Sequence, residues 1–557
     1  MKIYKISLKL TAFIAVFFTA SCQDLDLSYE GGTLNDDQIQ ATVEALPGRI
    51  NASVSGMYSI LGRPNGFFQR TSPRADDFGY PAIALGQDLN SGDMTNAVSN
   101  YDWFSVALEW SDRTPTYANP TMRLGVFYRI LYATKDVLAA IPADTEVKDL
   151  IEKRGQAKAL RAFSYLSLAP YFQFKYKGNE DKPSVPMMKD GVDPRNNPRA
   201  TLDELYNGEG GIIADLTDAI ADLEGFVRSN KGIINQSVAY GLRARAYLYM
   251  EEWEKAAADA EKAMQGFTPY SIGQLTAPGF NDANDQNWMW ALILPADVIN
   301  NVASGLASWP SHLGSFSGYA YVPFAGIYRS INSLLYDKIP TTDVRRAWWL
   351  DANKTSPYLE GLVWRDVDKN INYTGQEIPN AVIADIKEPM PAFTNVKFGQ
   401  KAGVGSVYNQ GDYPMMRVEE MILIRAEALA KSGKLAEGQQ VLEDFVKTYR
   451  NPAFVSTASN VATFENEVWF QRRVELWGEG FAMADVMRLG KNVVRFKAGV
   501  VNNVPAEYRF NISASDPWML LRFVQTETTN NAGVVNNTGG SEPKQDDGSG
   551  LLDGVTD

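Results

Sequence analysis

The stretch AYGLRARAYLYMEEWEKAAADAEKAM (Ala239–Met264) decides the fold. Leu242, Ala244, Tyr247, Trp253, Ala256, Ala260 and Ala263, with Pro269 beyond, alternate small and large side chains at helical spacing. Small alanines let two antiparallel helices approach, and the aromatics fill the gaps between successive hairpins, as in tetratricopeptide repeats. A second copy appears in EEMILIRAEALAKSGKLAEGQQVLEDFV (Glu419–Val446), where Ile424, Ala426, Leu429, Gly433, Leu435, Gly438 and Leu442 take the corresponding places. Two further segments, MRLGVFYRILYATKDVLAAI and GQAKALRAFSYLSLAPYFQF, carry a degenerate form of the same period. The expected fold is mainly α: a tetratricopeptide-like helical-hairpin scaffold, an α-α superhelix, with long loop insertions and a few short strands. Helices of this type are expected over about 120–265 and 412–490.

The interruptions are as informative as the repeats. From Gly62 to Pro120, and again from about 270 to 410, the period dissolves into Gly, Pro, Asp and Asn with isolated aromatics. Loops that long inside a compact domain are usually functional or disordered, and their aromatic content argues against disorder. Short strands are expected near Trp288–Leu294 and Val396–Gly399. Beyond about Thr526 the chain turns into NNAGVVNNTGGSEPKQDDGSG, which has little to bury, so residues 526–557 are expected to form a disordered tail.

Composition narrows the chemistry. The 557-residue chain carries a formal net charge of -13 and lacks any basic cluster beyond pairs such as Arg472–Arg473, which argues against nucleic-acid binding. It holds one histidine, His312, so zinc sites built on paired histidines are excluded. A Ser-His-Asp triad would have to use His312 in SHLGSF, and no GxSxG accompanies it. Phosphate-cradling glycine motifs and calcium-loop motifs are missing as well. No catalytic residue, cofactor or metal site is expected. What recurs is aromatic side chains in loops: Trp103 and Trp110 in one region, Trp288, Trp290, Trp309, Tyr319 and Tyr321 in the other. Flat rings suit the C–H faces of sugars or the side chains of peptides, with neighbouring polar groups fixing orientation. The competing reading is that these rings pin the loops to the helical body.

The N-terminus adds a location. Lys2, Lys5 and Lys9 precede the short apolar run LTAFIAVFF, a secretory signal pattern over residues 1–21. Thr19, Ala20 and Ser21 then lead to Cys22, the chain's one cysteine. This resembles a bacterial lipobox, which makes Cys22 the lipidated mature N-terminus and residues 22–40 a tether. Asp24 and Asp26 resemble the export signal that sends lipoproteins of the Bacteroidetes to the cell surface.

A last stretch, QRRVELWGEGFAMADVMRLG (Gln471–Gly490), resembles the C-terminal signature of the SusD/RagB family. The matching residues are Arg472, Glu475, Leu476, Glu479, Gly480, Asp485 and Arg488; Gln471, Ala482 and Val486 depart from it. The spacing of these charges suggests ion pairs along the helix. AKALRAFSYLSLAPYF and YPMMRVEEMILIRAEALAKSG are also similar to the family. The resemblance implies one domain over 41–525, with ligand-binding loops at about 62–120 and 270–410. It implies a non-enzymatic lipoprotein on the outer membrane, facing the exterior. Such a protein captures a glycan and delivers it to a SusC-like TonB-dependent transporter. A peptide-capturing RagB-like lid is the alternative, and a tetratricopeptide interaction scaffold a further one. By position, the candidate ligand-binding residues are Trp103, Trp309, Tyr319 and Tyr321, with Asp76 and Asp77 as polar partners.

Overall fold

The computed structural model describes residues 35–72, 74–100, 102–294, 305–382 and 388–557. The signal segment, Cys22 and most of the tether lie outside the described residues.

The longer helices are α1 (Asp36–Ala45), α2 (Asn51–Ser59), α3 (Tyr80–Asn90), α4 (Ala118–Ala140), α5 (Lys148–Phe172), α6 (Ile212–Asp222), α7 (Gln236–Tyr249), α8 (Trp253–Ala263), α9 (Val418–Lys431), α10 (Leu435–Tyr449), α11 (Val461–Glu475) and α12 (Ala482–Leu489). Helices α4 to α10 pack each on the next, and α11 closes on α9. The mainly helical, tetratricopeptide-like scaffold expected from the repeats is therefore present. Ala244, Ala256, Ala260 and Ala263 are fully buried where α7 meets α8. In the second copy, a Cβ on Gly438 would lie 2.6 Å from the Ala426 carbonyl, so only glycine allows α9 and α10 this close.

Four antiparallel strand pairs tie the loops down. β1 (Met94–Asn96) pairs with β5 (Arg329–Ile331), β2 (Pro183–Pro186) with β3 (Arg199–Thr201), β4 (Trp288–Leu292) with β8 (Tyr413–Arg417), and β6 (Val363–Asp366) with β7 (Ile371–Thr374). The β4–β8 pair closes the neck of the 270–410 insertion. The β1–β5 pair joins the two loop regions to each other, with Thr95 opposite Ser330. The strand expected near Trp288 is β4; around Val396–Gly399 the chain makes only a single bridge, Phe398 to Gly279.

Two expectations are corrected. The 62–120 region is not all loop, because it contains α3, every residue of which is buried. A helix surrounded by protein has no polar face, so it shows no amphipathic period. The tail over 526–557 is packed rather than structureless. Asn536 exchanges two hydrogen bonds with the Phe523 backbone, and Asn537 donates to the Phe172 and Leu521 carbonyls. Asp553 pairs with buried Arg473 at 2.8 Å. Low apolar content predicts disorder only when burial is the sole source of order; here asparagine side chains satisfy peptide groups instead.

The family-like charges also act at longer range than their spacing suggests. Only Asp485–Arg488, at 2.7 Å, is a local pair. Arg488 reaches Glu427 of α9, and Arg472 reaches Asp485 across the α11–α12 junction. Glu475 accepts from Arg450 at 2.8 Å, Arg417 at 3.1 Å and Arg345 at 3.3 Å, all at 0% exposure. Glu479 pairs with Arg417 and Lys397, Glu419 with Arg450 and Arg417, and Asp343 with Arg345. Four cations and four anions thus form one neutral buried cluster. Gln471, where the signature has an acid, accepts from Arg345; with Asp343 and Glu475 already on that arginine, a neutral partner suffices.

Burial alone would raise the Glu475 carboxyl; the Arg450, Arg417 and Arg345 guanidiniums overcome this and hold it well below the usual carboxylate range. Glu475→Gln is expected to lower stability by about 3–5 kcal/mol at neutral pH, since it leaves buried guanidiniums uncompensated. A depressed carboxyl stabilises above its unfolded pKa and loses that contribution as pH falls. The gap between wild type and variant in urea unfolding should therefore narrow below about pH 4.

Candidate functional site

The β1–β5 pair sets the site. Six residues beyond Asn96, the Asp102 carboxylate meets Arg329 of β5 at 2.5 Å, both fully buried. Arg329 also donates to Asn96 and to the His312 carbonyl. Burial would raise the Asp102 carboxyl, but Arg329 holds it below its ordinary value. This ion pair fixes the backbone that carries the next residue, Trp103, at the surface.

Trp103 meets the ring of Tyr321 edge-on at 6.4 Å and 85°. Tyr321 opens the short helix Tyr321–Ala325 and stacks on His312 at 4.9 Å and 15°. His312 stacks in turn on Phe78 at 5.4 Å and 17°. The histidine is thus a spacer in an aromatic column running from the core to Tyr321. Burial pushes its pKa down to about 3, so the ring is neutral. No serine or carboxylate hydrogen-bonds to its ring nitrogens among the described residues, so it is not arranged as the base of a triad.

On the other side of Trp103 lies Arg74. Its guanidinium sits 4.9 Å from the Trp103 ring and 5.2 Å from the Phe68 ring. Such contacts contribute about 0.5–1 kcal/mol each at exposed sites. Asp76 grips Arg74 through Nε at 2.9 Å and Nη2 at 2.8 Å. Asp77 accepts the amides of Phe67 at 3.1 Å and Phe68 at 2.7 Å. Its carboxyl is raised by desolvation against these hydrogen bonds. The two aspartates are fully buried.

The residues expected by position therefore separate. Trp103, Tyr319 and Tyr321 come together at the partly exposed surface. Tyr319 and Tyr321 line a cavity of about 110 Å³ with Phe324, which is 50% exposed. Asp76 and Asp77 face inward and position Arg74 and the Phe67–Phe68 turn. Trp309 is 1% exposed: its indole donates to the Gly411 carbonyl at 3.0 Å and packs against Phe398 and Tyr413. Trp110, Trp288 and Trp290 are likewise buried in the core. For these four tryptophans the loop-pinning reading holds. Arg74, Phe68 and Phe324 complete the cluster and were not singled out from sequence. The phenylalanine doublet between Gly66 and Arg70 was the available signal: two large apolar residues in a polar turn, each of which the structure leaves partly exposed.

Comparisons with known proteins agree with this architecture. Residues 363–540 match the model of the SusD family. A SusD-like carbohydrate binding protein from Bacteroides vulgatus superposes with a TM-score of 0.67 at 22% identity, covering 87% of this chain and 97% of its own. A SusD superfamily protein from Bacteroides thetaiotaomicron gives 0.65 at 19% identity, covering 91% and 100%. A laminarin binding SusD-like protein gives 0.57 at 16% identity, covering 88% and 99%. No curated protein sequence matches the chain. The fold is that of the SusD-like proteins, helical hairpins with loops gathered on the scaffold. The SusD family match spans residues 363–540, and the fold around it is shared with these SusD-like structures.

Trp309→Ala is expected to cost about 3–5 kcal/mol of stability, as buried aromatic truncations do. Urea unfolding followed by tryptophan fluorescence checks this; a wild-type midpoint would contradict the core placement.

Proposed function

We propose that this protein captures a glycan through the Phe68–Arg74–Trp103–Tyr321 cluster and delivers it to a SusC-like TonB-dependent transporter. The cluster carries the reading. Its rings are locked by internal stacking and ion pairs before any ligand arrives, so little side-chain entropy remains to be lost on binding. Flat aromatic faces receive the C–H faces of sugar rings. Asp76 engages Nε and Nη2 of Arg74, and the other guanidinium donors have no protein partner among the described residues, which suits them to hydroxyl oxygens. Two structural relatives are described as binding carbohydrate or laminarin, which supports a sugar over other flat ligands.

Delivery fits the rest of the chain. Cys22 would carry the lipid that holds the mature protein on the outer membrane, facing the exterior, and no helix among the described residues is long and apolar enough to cross a membrane. The reading is of a binding protein, with no catalytic step assigned to any residue.

Isothermal calorimetry against laminarin, starch, xylan, mannan and pectin tests it. At least one should bind, and Trp103→Ala should weaken that binding about tenfold or more, about 1.4 kcal/mol, with an unchanged melting temperature. Heat from oligopeptides and none from glycans would transfer the site to a peptide ligand.

A further inference from the structure

The turn that delivers Phe68 to the Trp103 cluster delivers its neighbour elsewhere. Phe67 and Phe68 meet edge-on at 4.9 Å, and Phe67 points into a separate cleft of about 310 Å³ along α4. This volume lies at the low end of small-ligand sites, which span roughly 300–1,000 Å³. One face of α4 forms the floor: Thr121, Gly125, Tyr128, Tyr132 and Lys135 recur at spacings of three and four residues. The walls are the segment after β2, with Met188 and Lys189, and the ordered tail, with Thr526 and Glu527. Asn531 joins the two walls: its side-chain amide accepts from the Asn197 N–H and donates to the Asn197 carbonyl, each at 2.9 Å.

Phe67 is seated with care. A Cβ on Gly125 would lie 2.3 Å from its ring, so a mid-helix glycine, about 1 kcal/mol worse than alanine there, gives it room. Arg129 covers the other side at 4.3 Å and donates to the Gly66 carbonyl. Tyr132 leaves 53% of its surface exposed at the cleft. Around it stand groups of both signs: Lys135, whose partner Asp190 is itself exposed, and Glu527, whose Oε1 accepts from Asn531. An exposed ring with donors and acceptors of mixed charge matches a neutral polyhydroxyl ligand rather than a single ion.

We propose that this cleft is a second saccharide subsite, filled by further units of the glycan chain bound at Trp103. The path between them is unbroken: Tyr132 and Phe67 in the cleft, then Phe68, Arg74, Trp103 and Tyr321 in successive contact. The proposal rests on the glycan reading of the Trp103 cluster and adds to it a preference for long chains. Two subsites on one ligand act through effective concentration, so the second matters only when the chain spans both.

The test is calorimetry on the intact mature protein with the polysaccharide of the panel that binds and with its shortest binding oligosaccharide. Tyr132→Ala should weaken the polysaccharide about tenfold and leave the short fragment unchanged. Tyr132→Phe, which keeps the ring, should behave as wild type. Gly125→Ala, which displaces Phe67, should show the same dependence on chain length as Tyr132→Ala. If Tyr132→Ala and Gly125→Ala bind the polysaccharide as wild type while Trp103→Ala loses it, the second subsite is wrong and the glycan reading stands. If Trp103→Ala changes nothing, or no glycan binds, both readings fall.

Discussion

A carboxylate buried among three guanidiniums is the constraint on which the structure turns. Glu475 ends α11, Arg450 caps the C-terminus of α10, Arg417 ends β8, and Arg345 belongs to the large insertion. None of these groups can be left alone in the interior, so the four elements must meet at one point. Lys397, lowered to about 8 by burial against the pull of Glu479, binds a second segment of the insertion to the same cluster. The insertion is thereby a fixed part of the scaffold, and what it presents at the surface is held in place.

The same logic recurs at smaller scale in the candidate site. Asp102 and Arg329 bring two loop regions together, 227 residues apart in the chain. Asp76 holds Arg74, and Asp77 holds the turn of Phe67 and Phe68. Acids that look like ligand partners in the sequence therefore act beneath the surface, on the groups that would meet the ligand. His312 does likewise: a residue that invites a catalytic reading is a neutral plate in a stack under Tyr321.

The parts of the site that sequence located, and the parts it misplaced, differ for a physical reason. Trp103 and Trp309 stand in similarly irregular, aromatic loops, yet one reaches the surface and the other packs on Phe398 and Tyr413. Nothing in their neighbours distinguishes them, because burial of a loop side chain depends on which distant segment lies over it. The tail was misread for a related reason. Its asparagines read as solvated until their partners, Phe172, Asn197 and Phe523, are seen beside them.

By itself the sequence determined the helical-hairpin scaffold, the presence of two aromatic loop regions and the family signature in Gln471–Gly490. These depend on residues that are near neighbours along the chain, so helical period and spacing record them. Only the tertiary structure decided which rings face outward, which acids support rather than contact, and that Phe67 lines a cleft along α4 while Phe68 packs under Arg74. Those outcomes are set by ion pairs and packing between segments hundreds of residues apart, which no local pattern encodes.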